Sequence, residues 1–127
     1  MKKIIFIVIL FINLSIFSQE KRLALVIGNA NYDKGPLENP VNDAKLIAKT
    51  LDSLGFDVIA KYNLTLQREF LSAIKEFGQK RNNYDIGFVY YAGHGVQVNN
   101  ENYLLPTQEV FESENDIVDY AVSVQKI

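Results

Sequence analysis

The apolar residues fall into short strand-length blocks separated by stretches of helical periodicity. Leu23-Ala24-Leu25-Val26-Ile27 is a continuous apolar run ended by Gly28, the pattern of a strand buried on both faces. Turn formers crowd Gly28 to Pro36, which predicts a loop. Asn39 and Pro40 then supply an N-cap and a first-turn proline. Behind them Val41, Ala44, Ile47, Ala48, Leu51 and Leu54 recur at helical spacing, with Gly55 as a C-terminal stop. Phe56 to Ala60 reads as a second strand. Leu66 to Lys80 reads as a second helix with Phe70, Leu71, Ile74 and Phe77 facing inward and Thr65 as its cap. The third strand, Ile86 to Ala92, lies between Asp85 and Gly93-His94-Gly95 and is rich in β-branched and aromatic residues. Val96 to Val98 and Tyr103 to Leu105 flank Asn99 to Asn102 as a small hairpin, which Pro106 ends. The acidic positions Glu109, Glu112, Glu114, Asp116 and Asp119 read as a solvated loop or a docking surface.

Strands alternating with helices at this spacing predict right-handed crossovers and an α/β fold, a mainly parallel sheet covered on both faces. Ligands of such sheets bind outside the carboxyl ends of the strands. Gly28 to Tyr32 and Gly93 to Gly95 are therefore expected on one rim. That rim holds the sole histidine of the sequence, His94, set between two glycines. From burial habits alone a lone histidine is more often a surface or satisfied core residue, and its place at a strand end is what brings a chemical role level with that reading.

Composition narrows the chemistry further. Thirteen basic residues nearly balance fifteen acidic ones, which gives no field suited to nucleic acid. Zero cysteines exclude disulfides, a thiol nucleophile and Cys-containing metal sites, and one histidine leaves no ligand set for a catalytic metal. Neither a phosphate-binding glycine loop nor a Gly-x-Ser-x-Gly elbow is present. No cofactor is expected. Lys2 and Lys3 precede an apolar run from Ile4 to Phe17, followed by Ser18 and Gln19, the pattern of a cleaved secretory leader over residues 1–19. The run is too short for a bilayer span of roughly 20 residues. The domain over 20–127 is thus expected to be exported, secreted or periplasmic, and mildly acidic, with no stable membrane span after leader cleavage.

In order along the chain stand Leu23 to Asn29 with Tyr32, Leu37, Asn42-Asp43-Ala44, Leu54-Gly55-Phe56, Tyr90-Tyr91-Ala92-Gly93-His94-Gly95 and Tyr103-Leu104-Leu105-Pro106. This ordered set resembles the amino-terminal part of the caspase-like cysteine peptidases, in particular the bacterial metacaspase and paracaspase-like branch. The resemblance implies a caspase-like three-layer α/β/α sandwich and peptide-bond hydrolysis by a Cys/His pair. In that chemistry a thiolate attacks the carbonyl, an imidazole acts as base and then acid, and backbone N–H groups hold the oxyanion. By the same match His94 is the catalytic histidine and Gly95 N–H an oxyanion donor. Asp43 and Ala92 fall at substrate-binding positions, Asp43 against an arginine or lysine. Leu37 stands where animal caspases place a basic residue for a substrate aspartate, which argues against aspartate selection. Helix-dipole stabilisation is the alternative role for Asp43.

The departure from the family is the missing thiol. A caspase nucleophile lies about 50 residues beyond its histidine, so near position 144 here, past Ile127. The sequence is accordingly expected to be an incomplete domain, truncated before the strand that carries the cysteine, inactive alone and needing the missing C-terminal part to act on a peptide or protein substrate. The competing expectation is a non-catalytic module that binds peptides or a protein partner.

Overall fold

A computed structural model describes residues 19–127; the expected leader, apart from Gln19, lies outside the described residues. β1 (Arg22–Gly28) is the central strand of a parallel sheet, with β2 (Phe56–Tyr62) on one side and β3 (Ile86–Ala92) on the other. Gly28 pairs with Tyr62 and with Ala92, so the three carboxyl ends share one rim as expected. The alternating faces of β1 explain its unbroken apolar run. Leu23, Leu25 and Ile27 pack on Phe70, Ala73 and Phe77 of α2 (Gln67–Arg81), while Ala24 and Val26 pack on Ala44 and Leu51 of α1 (Pro40–Ser53). Helices thus cover both faces, the three-layer α/β/α arrangement.

The hairpin also forms. β4 (Gly95–Val98) pairs antiparallel with β5 (Glu101–Leu104), and Asn99 and Asn100 take the two left-handed positions of a two-residue turn. β6 (Val122–Ser123) adds to β5, and its Val122 is sealed into the core around Leu25 and Phe70.

Several local expectations are corrected. Leu54 keeps the helical spacing but lies beyond the end of α1, where the chain turns out toward Gly55 (φ +83°), and it is 58 % exposed. Thr65 is not the cap of α2. Leu66 occupies that position, and Glu69 reaches back to accept from both the N–H and the hydroxyl of Thr65. Asn39 precedes α1 without a side-chain capping bond. The acidic segment is not all loop, because Glu114–Tyr120 forms α3, closed by a Ser113–Asp116 capping box. Backbone N–H groups of Glu112 and Ser113 and the Ser113 hydroxyl hold the Asp116 carboxyl below the usual carboxylate range. β3 is half open: among the described residues it pairs only with β1, leaving Ile86 37 % and Phe88 41 % exposed.

Candidate active site

At the shared rim the chain leaves β1 through Asn29, whose fully buried amide ties three segments together. Its backbone N–H donates to Ala92 O (2.8 Å), its Oδ1 accepts from Leu64 N–H (2.9 Å) and its Nδ2 donates to Leu105 O (3.2 Å). Asn63, in a left-handed conformation after β2, donates through its backbone to Gly28 O and accepts from the N–H groups of Ala30 and Asn31. These bonds fix the loop after β1, which swings round through Gly35 (φ +71°) and brings that residue's carbonyl to the His94 side chain.

The imidazole Nε2 lies 2.6 Å from Gly35 O. A carbonyl oxygen can only accept, so Nε2 carries the proton and the lone pair of the neutral ring sits on Nδ1. Nδ1 has no hydrogen-bond partner among the described residues and is not sealed from solvent. The Tyr32 ring packs against the imidazole with centroids 4.3 Å apart. Tyr32 Oη accepts from His94 N–H (2.8 Å), Tyr91 Oη donates to His94 O (2.7 Å), and the two hydroxyls are 3.0 Å apart. Burial pushes both phenols above the ordinary tyrosine value, Tyr91 far above it.

Gly95 follows as the first residue of β4. Leu105 N–H donates to His94 O (3.0 Å), which makes the next position, Gly95, a non-hydrogen-bonded one in the antiparallel ladder. Its N–H therefore points away from β5. A Cβ at Gly95 would meet Tyr103 O at 3.4 Å, a contact the fold can accommodate, so packing does not demand a glycine there. Beside the imidazole opens a crevice of about 130 Å³ lined by His94, Tyr32, Leu105, Pro106, Val110 and Phe111, with Asp33, Lys34 and Glu109 among its polar residues.

The other sequence-derived positions spread along the rim. Ala92 ends β3, one residue before the Gly93-His94-Gly95 loop, and its carbonyl is taken up by Asn29. Leu37 is half-buried, with its N–H on Ala30 O, and does not line the crevice. Asp43 is exposed in the first turn of α1 and forms no ion pair among the described residues. The start of α1 lies against the end of β1, where a Cβ on Gly28 would come within 2.6 Å of Ala44 Cβ and 2.7 Å of Pro40 O. Asp43 thus shares the rim with His94 without touching it. Two members of the acidic run are already engaged in the fold, Asp116 as a cap and Glu109 as acceptor for Gln67 N–H. Sequence reasoning assigned no role to Gly35, Tyr91 or Asn29. The signals were present in the paired tyrosines before Gly93-His94-Gly95 and the asparagine closing a buried strand.

His94 and Gly95 thus stand at the carboxyl rim of a parallel α/β/α sandwich, where ligands of such sheets bind. The family model of the caspase domain, peptidase C14, matches residues 21–121, and the chain belongs to that family. Among curated proteins it is similar to mucosa-associated lymphoid tissue lymphoma translocation protein 1 of Homo sapiens, 33 % identical over 97 residues. The Mus musculus homolog is 32 % identical over 97 residues. Each alignment covers 74 % of this chain and 12 % of the relative, so the chain spans a small part of the proteins it matches.

Proposed function

We propose that this chain is the histidine-bearing portion of a caspase-like cysteine endopeptidase of the metacaspase and paracaspase-like branch. The observation that carries this reading is the imidazole held through Nε2 by Gly35 O, with Nδ1 not sealed from solvent and without a hydrogen-bond partner among the described residues. In this reading Nδ1 takes the proton of a cysteine thiol, and the resulting thiolate attacks the scissile carbonyl. The Gly35 carbonyl stabilises the imidazolium that forms, and Gly95 N–H donates to the oxyanion. The proton on Nδ1 then passes to the leaving amine, and water releases the acyl group from sulfur. No cysteine occurs in these 127 residues, so the thiol must come from polypeptide outside them. Asp43, exposed on the same rim and without an ion pair among the described residues, would hold a substrate arginine or lysine through charge-assisted bonds. Export by the residue 1–19 leader completes the reading; N-terminal sequencing of secreted material beginning near Gln19 or Glu20 supports it, and material beginning at Met1 contradicts it.

The test is a fluorogenic peptide assay on the purified chain and on the chain joined to a thiol-bearing C-terminal segment of a caspase-family domain. The chain alone should turn over nothing. The joined form should cleave after Arg and Lys and not after Asp, His94→Ala should abolish cleavage, and Asp43→Asn should lower kcat/KM on arginyl peptides about 10- to 100-fold, as loss of a bond to a charged group does. Turnover by the chain alone, preference for aspartyl peptides, or an active His94→Ala form would each contradict the corresponding part of the proposal.

A further inference from the structure

We propose that Tyr32 and Tyr91 are positioning residues for His94: their hydroxyls close a ring of hydrogen bonds around its backbone and thereby hold its imidazole on the Gly35 carbonyl. Their assignment rests on the proposed role of His94. Glycines on both sides give this residue the freest backbone in the rim, so its side chain has no fixed direction unless something outside the loop supplies one. The two hydroxyls supply it. His94 N–H donates to Tyr32 Oη (2.8 Å), Tyr91 O–H donates to His94 O (2.7 Å), and the two hydroxyls close the ring at 3.0 Å, with Leu105 O a further acceptor for Tyr32 O–H (3.2 Å). Hydrogen bonds linked through shared hydroxyls in this way reinforce one another in a poorly solvated setting. The Tyr32 ring lies beside the imidazole at 4.3 Å, so the same residue fixes both backbone and ring.

Gly93 bears independent witness. A Cβ there would stand 2.5 Å from Tyr91 Oη and 2.6 Å from Tyr32 Oη, so the position is glycine because the hydroxyls occupy the space of a side chain. The tyrosines come from separate elements, one from the loop after β1 and one from β3. Their meeting at His94 joins the loop that carries the Gly35 carbonyl to the strand that carries the imidazole.

His94 is the sole histidine, so a long-range ¹H–¹⁵N spectrum of the labelled chain contains one imidazole, and no thiol or substrate is needed. The wild-type ring should be mainly the Nε2–H tautomer. Tyr32→Phe and Tyr91→Phe should each raise the ratio of Nδ1–H to Nε2–H about fivefold, the equivalent of one hydrogen bond at ~1 kcal/mol, with unchanged circular dichroism. Tyr84→Phe, which loses a 2.6 Å bond to Asp57 at the opposite end of the sheet, should leave the ratio alone. Folded Tyr32→Phe and Tyr91→Phe proteins with the wild-type ratio would overturn the assignment. Should either variant fail to fold, the wild-type spectrum decides. A Tyr32 hydroxyl proton with an NOE to the His94 amide supports the ring, and absence of that NOE refutes it. The tautomer ratio is read on the chain alone, so it can fail while the peptidase proposal stands, and the reverse.

Discussion

Gly93→Ala is the most informative single change in the site. Gly93 does not have a positive φ, so alanine meets no backbone strain there, and its unfolded-state effect alone would stabilise by about 0.4–1 kcal/mol. The cost is steric. The new Cβ would lie 2.5 Å and 2.6 Å from the two tyrosine hydroxyls, roughly an ångström inside ordinary contact. Overpacking of this kind costs about 1–3 kcal/mol, and displacing the hydroxyls breaks at least two hydrogen bonds at ~1 kcal/mol each. A net loss of about 3 kcal/mol follows, a large share of the ~5–15 kcal/mol that holds a domain together. Urea denaturation of Gly93→Ala, Tyr32→Phe and the double variant reads the origin of that loss. With the Tyr32 hydroxyl gone one of the clashes disappears, so the double variant should be more stable than the sum of single effects by about 1–2 kcal/mol. Tyr91→Phe should couple less strongly, because Tyr91 Cζ still lies 2.8 Å from the added methyl. Additivity within about 0.5 kcal/mol, or a Gly93→Ala protein as stable as wild type, would refute the claim that the hydroxyls dictate this glycine.

Two further outcomes follow from the same geometry. Asn29→Ala leaves Leu64 N–H without its partner and removes one donor from Leu105 O, so chemical denaturation should show a loss of about 2–3 kcal/mol, and a loss below ~0.5 kcal/mol would contradict the tie described. Tyr32 and Tyr91 keep their protons above the ordinary phenol value of about 10, where the unfolded chain has already released its own. Between the unfolded and folded values the native state binds more protons, so stability declines as pH rises beyond about 10. In a phenolate absorbance titration two of the seven tyrosines should ionise only together with loss of the circular dichroism signal, whereas reversible ionisation of all seven in the native protein would contradict their burial.

How much of this was legible in the sequence depends on the range of the interactions involved. β1 is apolar on successive residues because α1 and α2 cover opposite faces, so one local pattern reported both the strand and the layers. The shared rim then followed from parallel connectivity, and His94 with it. α3 escaped because its seven residues are too few to show a helical period: Ile117 packs on the cluster around Val98 and Tyr103, and the polar capping box that opens it is concealed in an acidic run. Leu54 misled because helical spacing continues in sequence after the helix has ended in space. The support of His94 was beyond local reading altogether. Gly35 is 59 positions from His94 and Tyr32 is 62, and nothing short of the folded rim reveals that a backbone carbonyl and two hydroxyls converge on one residue.

Acylation of native His94 by diethylpyrocarbonate, located by tandem mass spectrometry, probes the heart of the account, since that reagent takes only an unprotonated and reachable ring nitrogen. With Nε2 committed to Gly35 O and Nδ1 not sealed from solvent, His94 should be modified in the native chain without unfolding. A His94 that stays unmodified until the chain is unfolded would contradict the account.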